Sequence, residues 1–201
     1  MKSVSGFLLV CMTLSCITTS LAQEIKLGAA GFLGTTNWSK EYADSKTRVV
    51  FGLGAAGQYG ITEKLSVGAE LMYSAIGPKI TDNGDGFFGR MSIPTIQIPL
   101  TVSYEVIDKL QVHAGLQPAM ILSVNAILDN EPYNGDKIDL SDNYGSFNMD
   151  FILGGSYDIT EKFTGVFRLN LGLVDVETER EPRDFKTTGV QLGVRYWLVN
   201  K

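Results

Sequence analysis

Cysteine is almost missing from this 201-residue sequence, and both examples, Cys11 and Cys16, lie near the amino terminus. From residue 17 onward, neither a disulfide scaffold nor a thiolate metal site can hold the chain together. Histidine is equally scarce, because His113 stands alone. A catalytic base needs a nucleophile or a water-activating carboxylate within reach, and one histidine alone gives little support to a catalytic centre.

An excess of positive charge is also lacking, since 17 Lys and Arg face 22 Asp and Glu, for a net charge of −5. This balance argues against a nucleic-acid partner. Long apolar runs are missing too, which excludes a protein that crosses a membrane with helices. It does not exclude a membrane barrel, whose alternating strands average to near-neutral hydropathy.

The first 22 residues have the pattern of a secretory signal peptide. Lys2 precedes an apolar stretch at residues 7–14, and small residues lead to Ala22, after which we expect cleavage. Removing these 22 residues from 201 leaves 179, with no cysteine, and removing Lys2 takes the net charge from −5 to −6. A lipoprotein cleaved before Cys16 is the alternative, although Thr13 stands where such sites prefer leucine. We therefore expect a leader at residues 1–22 and one domain at residues 23–201.

A seven-residue pattern occurs three times, starting at Tyr59, Tyr104 and Tyr157. It reads tyrosine, any residue, Ile or Val, a β-branched residue, an acid, lysine and a large apolar residue. Each copy lies between two stretches in which large apolar residues alternate with small or polar ones. This arrangement predicts three tight hairpin turns.

The same alternation marks eight strands, joined by the three tight turns and by four long polar connections. The predicted strands are 25–33, 48–61, 65–76, 95–106, 110–123, 147–159, 163–174 and 186–198. Short turns at one end and long loops at the other are typical of outer-membrane barrels. Strands of about 11 residues, tilted by about 40°, span an apolar band of about 25 Å. The predicted fold is all-β, an eight-stranded antiparallel up-and-down transmembrane β-barrel.

The alternative is a soluble barrel or sandwich, in which the apolar face would point inward. The opposite face carries glycine, glutamine, serine and charged residues, which suit a narrow lumen where small residues leave room for larger ones. Tyrosines recur on the apolar face beside the turns and on the last strand, and we expect them to form an aromatic girdle at one membrane boundary. The girdle residues are Tyr59, Tyr104, Tyr157 and Tyr196.

Charged residues on the inward face are expected to pair, because buried charges persist only when they are compensated. We predict a lumen network in which the arginines meet some of the acids, and which fills the lumen rather than gating it. Its members are Glu70, Glu105, Asp150, Arg168 and Arg195. His113 also points inward and is interpreted as structural. No cofactor or metal is expected, since the acidic loops at 82–86 and 136–142 lack the full spacing of a calcium loop.

Three prolines conflict with strand pairing, because Pro94, Pro99 and Pro118 lie inside predicted strands. A closed barrel has no free edge at which a missing N–H can be hidden. We expect a bulge at these positions, or strand ends that pair above the membrane.

Residues 92–104, SIPTIQIPLTVSY, and residues 113–118, HAGLQP, resemble the PorT-like outer-membrane β-barrel family of Bacteroidetes. The resemblance covers the whole mature chain in layout, and its specific residues lie in strands four and five. It implies a barrel in the outer membrane of a Gram-negative cell. It implies no single activity, because PorT itself serves a secretion system while many similar proteins have no assigned role.

The resulting hypothesis is a non-enzymatic barrel that is structural or binds through its extracellular loops. The alternatives are a small pore or transport protein, a secretion-system accessory barrel and, third, a lipid- or peptide-processing enzyme. Expected partners are outer-membrane lipid and an extracellular or periplasmic protein, with no nucleic acid, and the chain is expected to be a monomer. A pull-down with and without the long loop at residues 125–145 would do most to identify the protein partner.

Overall fold

A computed structural model describes residues 24–38, 45–77, 79–80, 89–128, 135–143, 145–174 and 186–201. The predicted signal peptide at residues 1–22 lies outside these residues. Within them, no helix is long and apolar enough to cross a membrane. Eight long antiparallel strands dominate: β1 Ile25–Trp38, β2 Arg48–Gly60, β3 Leu65–Ile76, β4 in two parts, Gly89–Gln97 and Leu100–Ile107, β5 Leu110–Ile121, β6 Phe147–Asp158, β7 Phe163–Gly172 and β8 Thr187–Asn200.

Each strand pairs with its neighbour in the chain, and β1 pairs with β8 to close the ring. At the seam, Ile25 N donates to Lys201 O at 2.7 Å, and Lys201 N donates to Ile25 O at 3.1 Å. Closure gives every strand two neighbours and removes the free edges that lipid could not hydrate. The predicted closed eight-stranded barrel is therefore confirmed.

Side chains alternate between a lipid-facing surface and a packed lumen. Large apolar residues are the exposed ones, with Phe51 67%, Leu53 65% and Leu192 65% accessible. The inward face is polar and closely packed, and Gln117 and Asn148 are almost fully buried. This distribution is the inverse of a soluble protein and shows that the surrounding solvent is hydrocarbon.

The lipid-facing belt yields a first prediction, in which Leu53→Arg is compared with Leu53→Ala. Leu53 lies near the middle of β2 with its side chain on the outer surface. An arginine near the midplane of the bilayer costs about 2–4 kcal/mol, so we expect a loss of that size in urea unfolding from lipid vesicles. The alanine variant should lose much less. Equal losses for the two variants would contradict a membrane location for this face.

The three repeated turns fold in two ways. In the first and third turns, the Oγ1 atoms of Thr62 and Thr160 accept hydrogen bonds from the backbone N of Leu65 and Phe163, at 3.0 and 3.1 Å. The second copy has isoleucine where those copies have threonine, and it forms a two-residue turn in which Lys109 adopts φ 68°. The threonine hydroxyl accounts for this difference, because it can bind the backbone and isoleucine cannot.

The strand prolines are accommodated without a bulge at Pro99, so that expectation is wrong for this residue. The two parts of β4 keep one register with β3 and β5 across Ile98 and Pro99. Pro99 O accepts from Glu70 N at 3.0 Å, and Ile98 N donates to Pro118 O at 2.9 Å. The strand therefore lacks one ladder hydrogen bond, because Pro99 has no N–H to donate, but its side chains still alternate between the two faces.

Above the barrel, the loop ends of the strands continue into a small extracellular sheet. The first part of β4 pairs there with Lys79–Ile80 and Asn125–Leu128, which are joined at the two sides by Ser45–Lys46 and Lys137–Asp139. The loop predicted at residues 125–145 therefore contains two short strands, followed by a short 3₁₀ helix at Ser141–Asn143.

An apolar cluster lies where the lumen meets this sheet, and we call it the apolar cap. It comprises Ile76, Met91, Ile93, Ile121 and Val124, with Leu140 packed against it. Two hydrogen bonds hold the covering segment in place, from Leu140 N to Val124 O at 2.8 Å and from Val124 N to Ser141 Oγ at 3.0 Å. The cap thus places apolar side chains at the loop end of the polar lumen.

Candidate functional site

The centre of the lumen contains two arginines that share one carboxylate, a group we call the arginine cluster. Glu70 on β3 faces Arg168 on β7 and Arg195 on β8, and all three are buried. Arg168 binds both carboxylate oxygens, with Nη1 at 2.9 Å from Oε2 and Nη2 bonded to Oε1. Arg195 Nε donates to Oε1 at 2.8 Å. The fork geometry of the guanidinium groups makes this a strong, directional cross-link through the lumen.

Trp197 extends the cluster toward the turn end of the barrel. The guanidinium carbon of Arg195 lies 6.0 Å from the centre of the indole ring, within the range of a cation–π interaction. Trp197 Nε1 donates to Thr164 Oγ1 at 2.8 Å, which satisfies its one polar atom. The alternation along β8 predicts that this tryptophan points into the lumen. Its contact with Arg195 could not be predicted from the sequence.

Asp150 lies apart from the arginine cluster and is bound by neutral side chains. Gln117 Nε2 donates to it at 3.2 Å, Asn148 Nδ2 at 3.1 Å and Thr187 Oγ1 at 2.8 Å. The structure thus brings together three of the five predicted network residues, Glu70 and the two arginines. Inward-facing Gln, Asn and Thr were visible in the sequence, but their partnership with Asp150 was not.

Glu105, the fifth predicted residue, lies at the turn-side mouth of the lumen. It lines a cavity of about 40 Å³ together with Lys26, Gln58 and Gln111. Lys26 Nζ lies 3.6 Å from Asp158 Oδ2 and 3.2 Å from Glu24 Oε1. This mouth is a second group of charges, separate from the arginine cluster.

The four tyrosines of the proposed girdle lie on the outer surface at the turn end. Tyr104, Tyr157 and Tyr196 are exposed, and Tyr59 is half-buried. Tyr196 packs against Phe163, with ring centroids 5.0 Å apart. All four stand within a few residues of a tight turn or of the chain end at the same mouth.

His113 is buried in the lumen opposite Ser103 on β4 and Gly154 on β6. Among the residues that the structure describes, neither ring nitrogen has a hydrogen-bond partner. The described ranges also contain no group of three or more His, Cys, Asp or Glu side chains placed to hold a metal ion.

The lumen leaves little free space around the arginine cluster. The cavity beside it, lined by residues such as Phe32, Met72 and Arg168, has a volume of about 10 Å³. That is near the lower limit for holding a single water molecule. A second apolar group, Ala30, Phe32, Val50, Ala56, Met72 and Trp197, fills the adjoining space. An eight-stranded ring has an interior of the size that side chains fill.

The extracellular sheet presents its outermost strand to solvent. Lys137, Ile138 and Asp139 are all exposed, with Ile138 46% accessible. The hydroxyl of Ser141 donates to Asp139 at 2.5 Å and its backbone N at 2.9 Å, and these bonds hold the pKa of the Asp139 carboxyl below its usual value. The segment is therefore ordered, charged and accessible.

The protein is an integral barrel of the Gram-negative outer membrane, as its closed ring, its apolar outer belt and its filled polar lumen indicate. The family model described as outer membrane protein beta-barrel domain matches residues 20–177. The chain belongs to this family. A search of curated proteins finds no matching sequence.

Solved barrels share the fold. Ail, the attachment invasion locus protein of Yersinia pestis, is 11% identical with a TM-score of 0.52, and the match covers 88% of this chain and 99% of Ail. Neisserial surface protein A is 14% identical with a TM-score of 0.50, and the match covers 86% of this chain and 96% of that protein. At these identities the similarity concerns the fold alone.

Proposed function

We propose that this chain is a non-enzymatic barrel that binds a partner through its extracellular sheet and loops, and that its lumen is structural. The observation that carries the proposal is the contrast between the filled lumen and the accessible sheet at its loop end. The interior is cross-linked by the arginine cluster, and the apolar cap lies at its loop end. The strands meanwhile continue beyond the cap into an accessible sheet.

The structural neighbours are consistent with binding at a barrel surface, since Ail was solved in complex with the heparin analogue sucrose octasulfate. A polyanion is not the ligand we propose here. Acidic residues outnumber basic ones by 22 to 17 in this chain, so a protein partner suits its charge better. We propose a monomer in outer-membrane lipid that engages such a partner from outside.

The resemblance to PorT-like proteins supports a Bacteroidetes envelope and, as a second form of the proposal, an accessory role in a secretion system. The segment that carries the resemblance, Ile98-Pro99-Leu100, is the point at which β4 loses a hydrogen bond while keeping its register. A secretion role predicts that deletion of the protein stops export of secreted enzymes. A loop-binding role predicts normal export and a lost surface interaction.

The binding proposal is tested by changing only exposed side chains of the outermost strand, in the double variant Lys137→Ser and Ile138→Ser. We expect a pull-down with the double variant to capture at least about tenfold less envelope or extracellular protein, because the changed side chains are exposed to a partner. They do not belong to the apolar cap, so the fold should be kept. The matched control is Glu63→Ser with Lys64→Ser, at an exposed turn on the opposite end. Both variants should keep the heat-dependent gel shift of a folded barrel.

Recording from planar bilayers decides between this proposal and a pore. The filled lumen predicts no steady conductance for the purified protein. Steady channels in the unmodified protein, together with unchanged capture by the strand variant, would overturn the proposal in favour of transport.

A further inference from the structure

Four inward-facing amide side chains surround Asp150 in the loop-side half of the lumen. They are Gln97, Gln117, Asn148 and Asn170, and with Asp150 we call them the amide site. All five residues are at least nine-tenths buried, with Asn148 at 0% and Gln117 at 1% accessible. The site lies above the arginine cluster, because Arg168 pairs with Gly154, four residues nearer the turn than Asp150.

The register of β4 to β7 brings these residues together. Asp150 and Gln117 are direct partners across β5 and β6, and Asn148 is the next inward residue on β6. Asn170 pairs with Ile152 and is therefore diagonal to Asp150. Gln97 pairs with Ala119 and is diagonal to Gln117. Direct and diagonal neighbours on one face of a sheet are within reach of each other's side chains.

Among the residues that the structure describes, the carboxylate at the centre of the amide site has no basic partner. Its hydrogen bonds come from Gln117, Asn148 and Thr187, all of them neutral. None of the ion pairs found in the described ranges includes Asp150. A buried carboxylate stays ionised only when it is paired or binds a metal ion, and otherwise it takes up a proton, so the ionised form of Asp150 requires a counter-charge.

The unpartnered amide oxygens indicate which kind of counter-charge would suit Asp150. Gln117 and Asn148 donate hydrogen bonds from their NH₂ groups to Asp150, and Gln97 Nε2 donates to Thr95 Oγ1 at 3.3 Å. These bonds fix the orientation of each amide, and the oxygens of Gln117 and Asn148 face away from the Asp150 carboxylate. In the part of the chain that the structure describes, the side-chain oxygens of Gln97, Gln117, Asn148 and Asn170 accept no hydrogen bond. Buried acceptors left without a donor are costly and rare.

We propose that the amide site binds a small hard cation, Na⁺ in the first place, on these unpartnered amide oxygens, with the Asp150 carboxylate supplying the negative charge beside it. Hard cations take oxygen ligands from carboxylates and amide carbonyls. One carboxylate among neutral oxygens matches a single positive charge. The same ion gives the amide oxygens the electropositive partner that they lack.

The cation is captured as the barrel closes. The apolar cap lies above the amide site and the arginine cluster lies below it, so exchange through either end is slow. The experiment must therefore supply the cation during folding. The protein is refolded into detergent in NaCl or in choline chloride at equal ionic strength, because choline is a bulky organic cation and does not replace a hard metal ion on oxygen ligands.

The measured quantity is the temperature at which the compact gel band of the folded barrel converts to the unfolded band. A cation at about 100 times its dissociation constant stabilises the folded state enough to raise this temperature by about 5–10 °C. We expect that rise in NaCl relative to choline chloride for the unmodified protein.

Two variants locate the effect. Asp150→Asn keeps the shape and removes the charge, and it should abolish the difference between the two salts. Asn170→Leu removes an oxygen that has no protein donor. It should leave stability in choline chloride unchanged or raised, because a buried unpaired acceptor is lost, and should reduce the rise in NaCl.

Asp158→Asn is the matched control, since Asp158 also faces the lumen but lies near Lys26 and accepts from Thr164 Oγ1. Its salt difference should equal that of the unmodified protein. The same conversion temperature in NaCl and choline chloride would overturn the proposal. A salt difference that persists in Asp150→Asn would overturn it as well.

Discussion

Replacing Glu70 by alanine is expected to destabilise the barrel by about 3–5 kcal/mol, the usual cost of removing one partner from a buried ion pair. The substitution leaves Arg168 and Arg195, which lie on the adjacent strands β7 and β8, without a carboxylate. Both are almost fully buried, and both currently donate to Glu70. Their mutual repulsion adds to the cost of their desolvation. Urea unfolding in lipid vesicles measures the loss.

The control separates charge from shape. Glu70→Gln keeps an acceptor oxygen for one arginine and should lose less than Glu70→Ala, while Glu63→Gln, at an exposed turn, should lose nothing measurable. A Glu70→Ala barrel as stable as the unmodified protein would mean that the arginine cluster does not hold the lumen together.

Gly154→Val is expected to prevent most chains from reaching the folded barrel, with a cost of at least about 3 kcal/mol, at the upper end of overpacking effects. A Cβ at this position would meet Phe167 O at 2.1 Å and His113 Nε2 at 2.8 Å. The first contact is with backbone of the adjoining strand, so no side-chain rotation relieves it. The yield of the heat-shifted band after refolding is the measurement.

Gly165→Val is the paired control, because Gly165 lies on the neighbouring strand with its open side toward lipid. A Cβ there meets nothing closer than Ile159 Cδ1 at 3.5 Å. A β-branched residue also suits an exposed strand position. Equal refolding yields for the two variants would contradict the close approach of strands around Gly154.

The sequence predicted the ring because two signals agreed on it. Alternation along each strand separates the lipid face from the lumen, and the three tyrosine-led turns set where strands reverse. Strand number, closure and the inward position of His113 and Arg195 all follow from these signals. The sequence predicted three equivalent turns, and the structure shows two types, with threonine at 62 and 160 and isoleucine at 107 marking the difference.

Other features could not be predicted, because they depend on distances across the ring. Glu70 lies 98 residues from Arg168 and 125 from Arg195 in the chain, and alternation states only that all three point inward. Which acid meets which arginine is decided by the stagger of eight strands. The same limit applies to the extracellular sheet, where short strands of two to four residues carry too few side chains to show a period.

The seam between β1 and β8 has a consequence for the order of assembly. Its two strands are separated by nearly the entire domain, so the contact that completes the structure has the longest loop to close. Until that step, the partly built sheet retains two unsatisfied edges that would pair with any other strand available. A cell that makes this protein must therefore shield both edges along the way, and any delay in the last strand exposes every earlier one to aggregation.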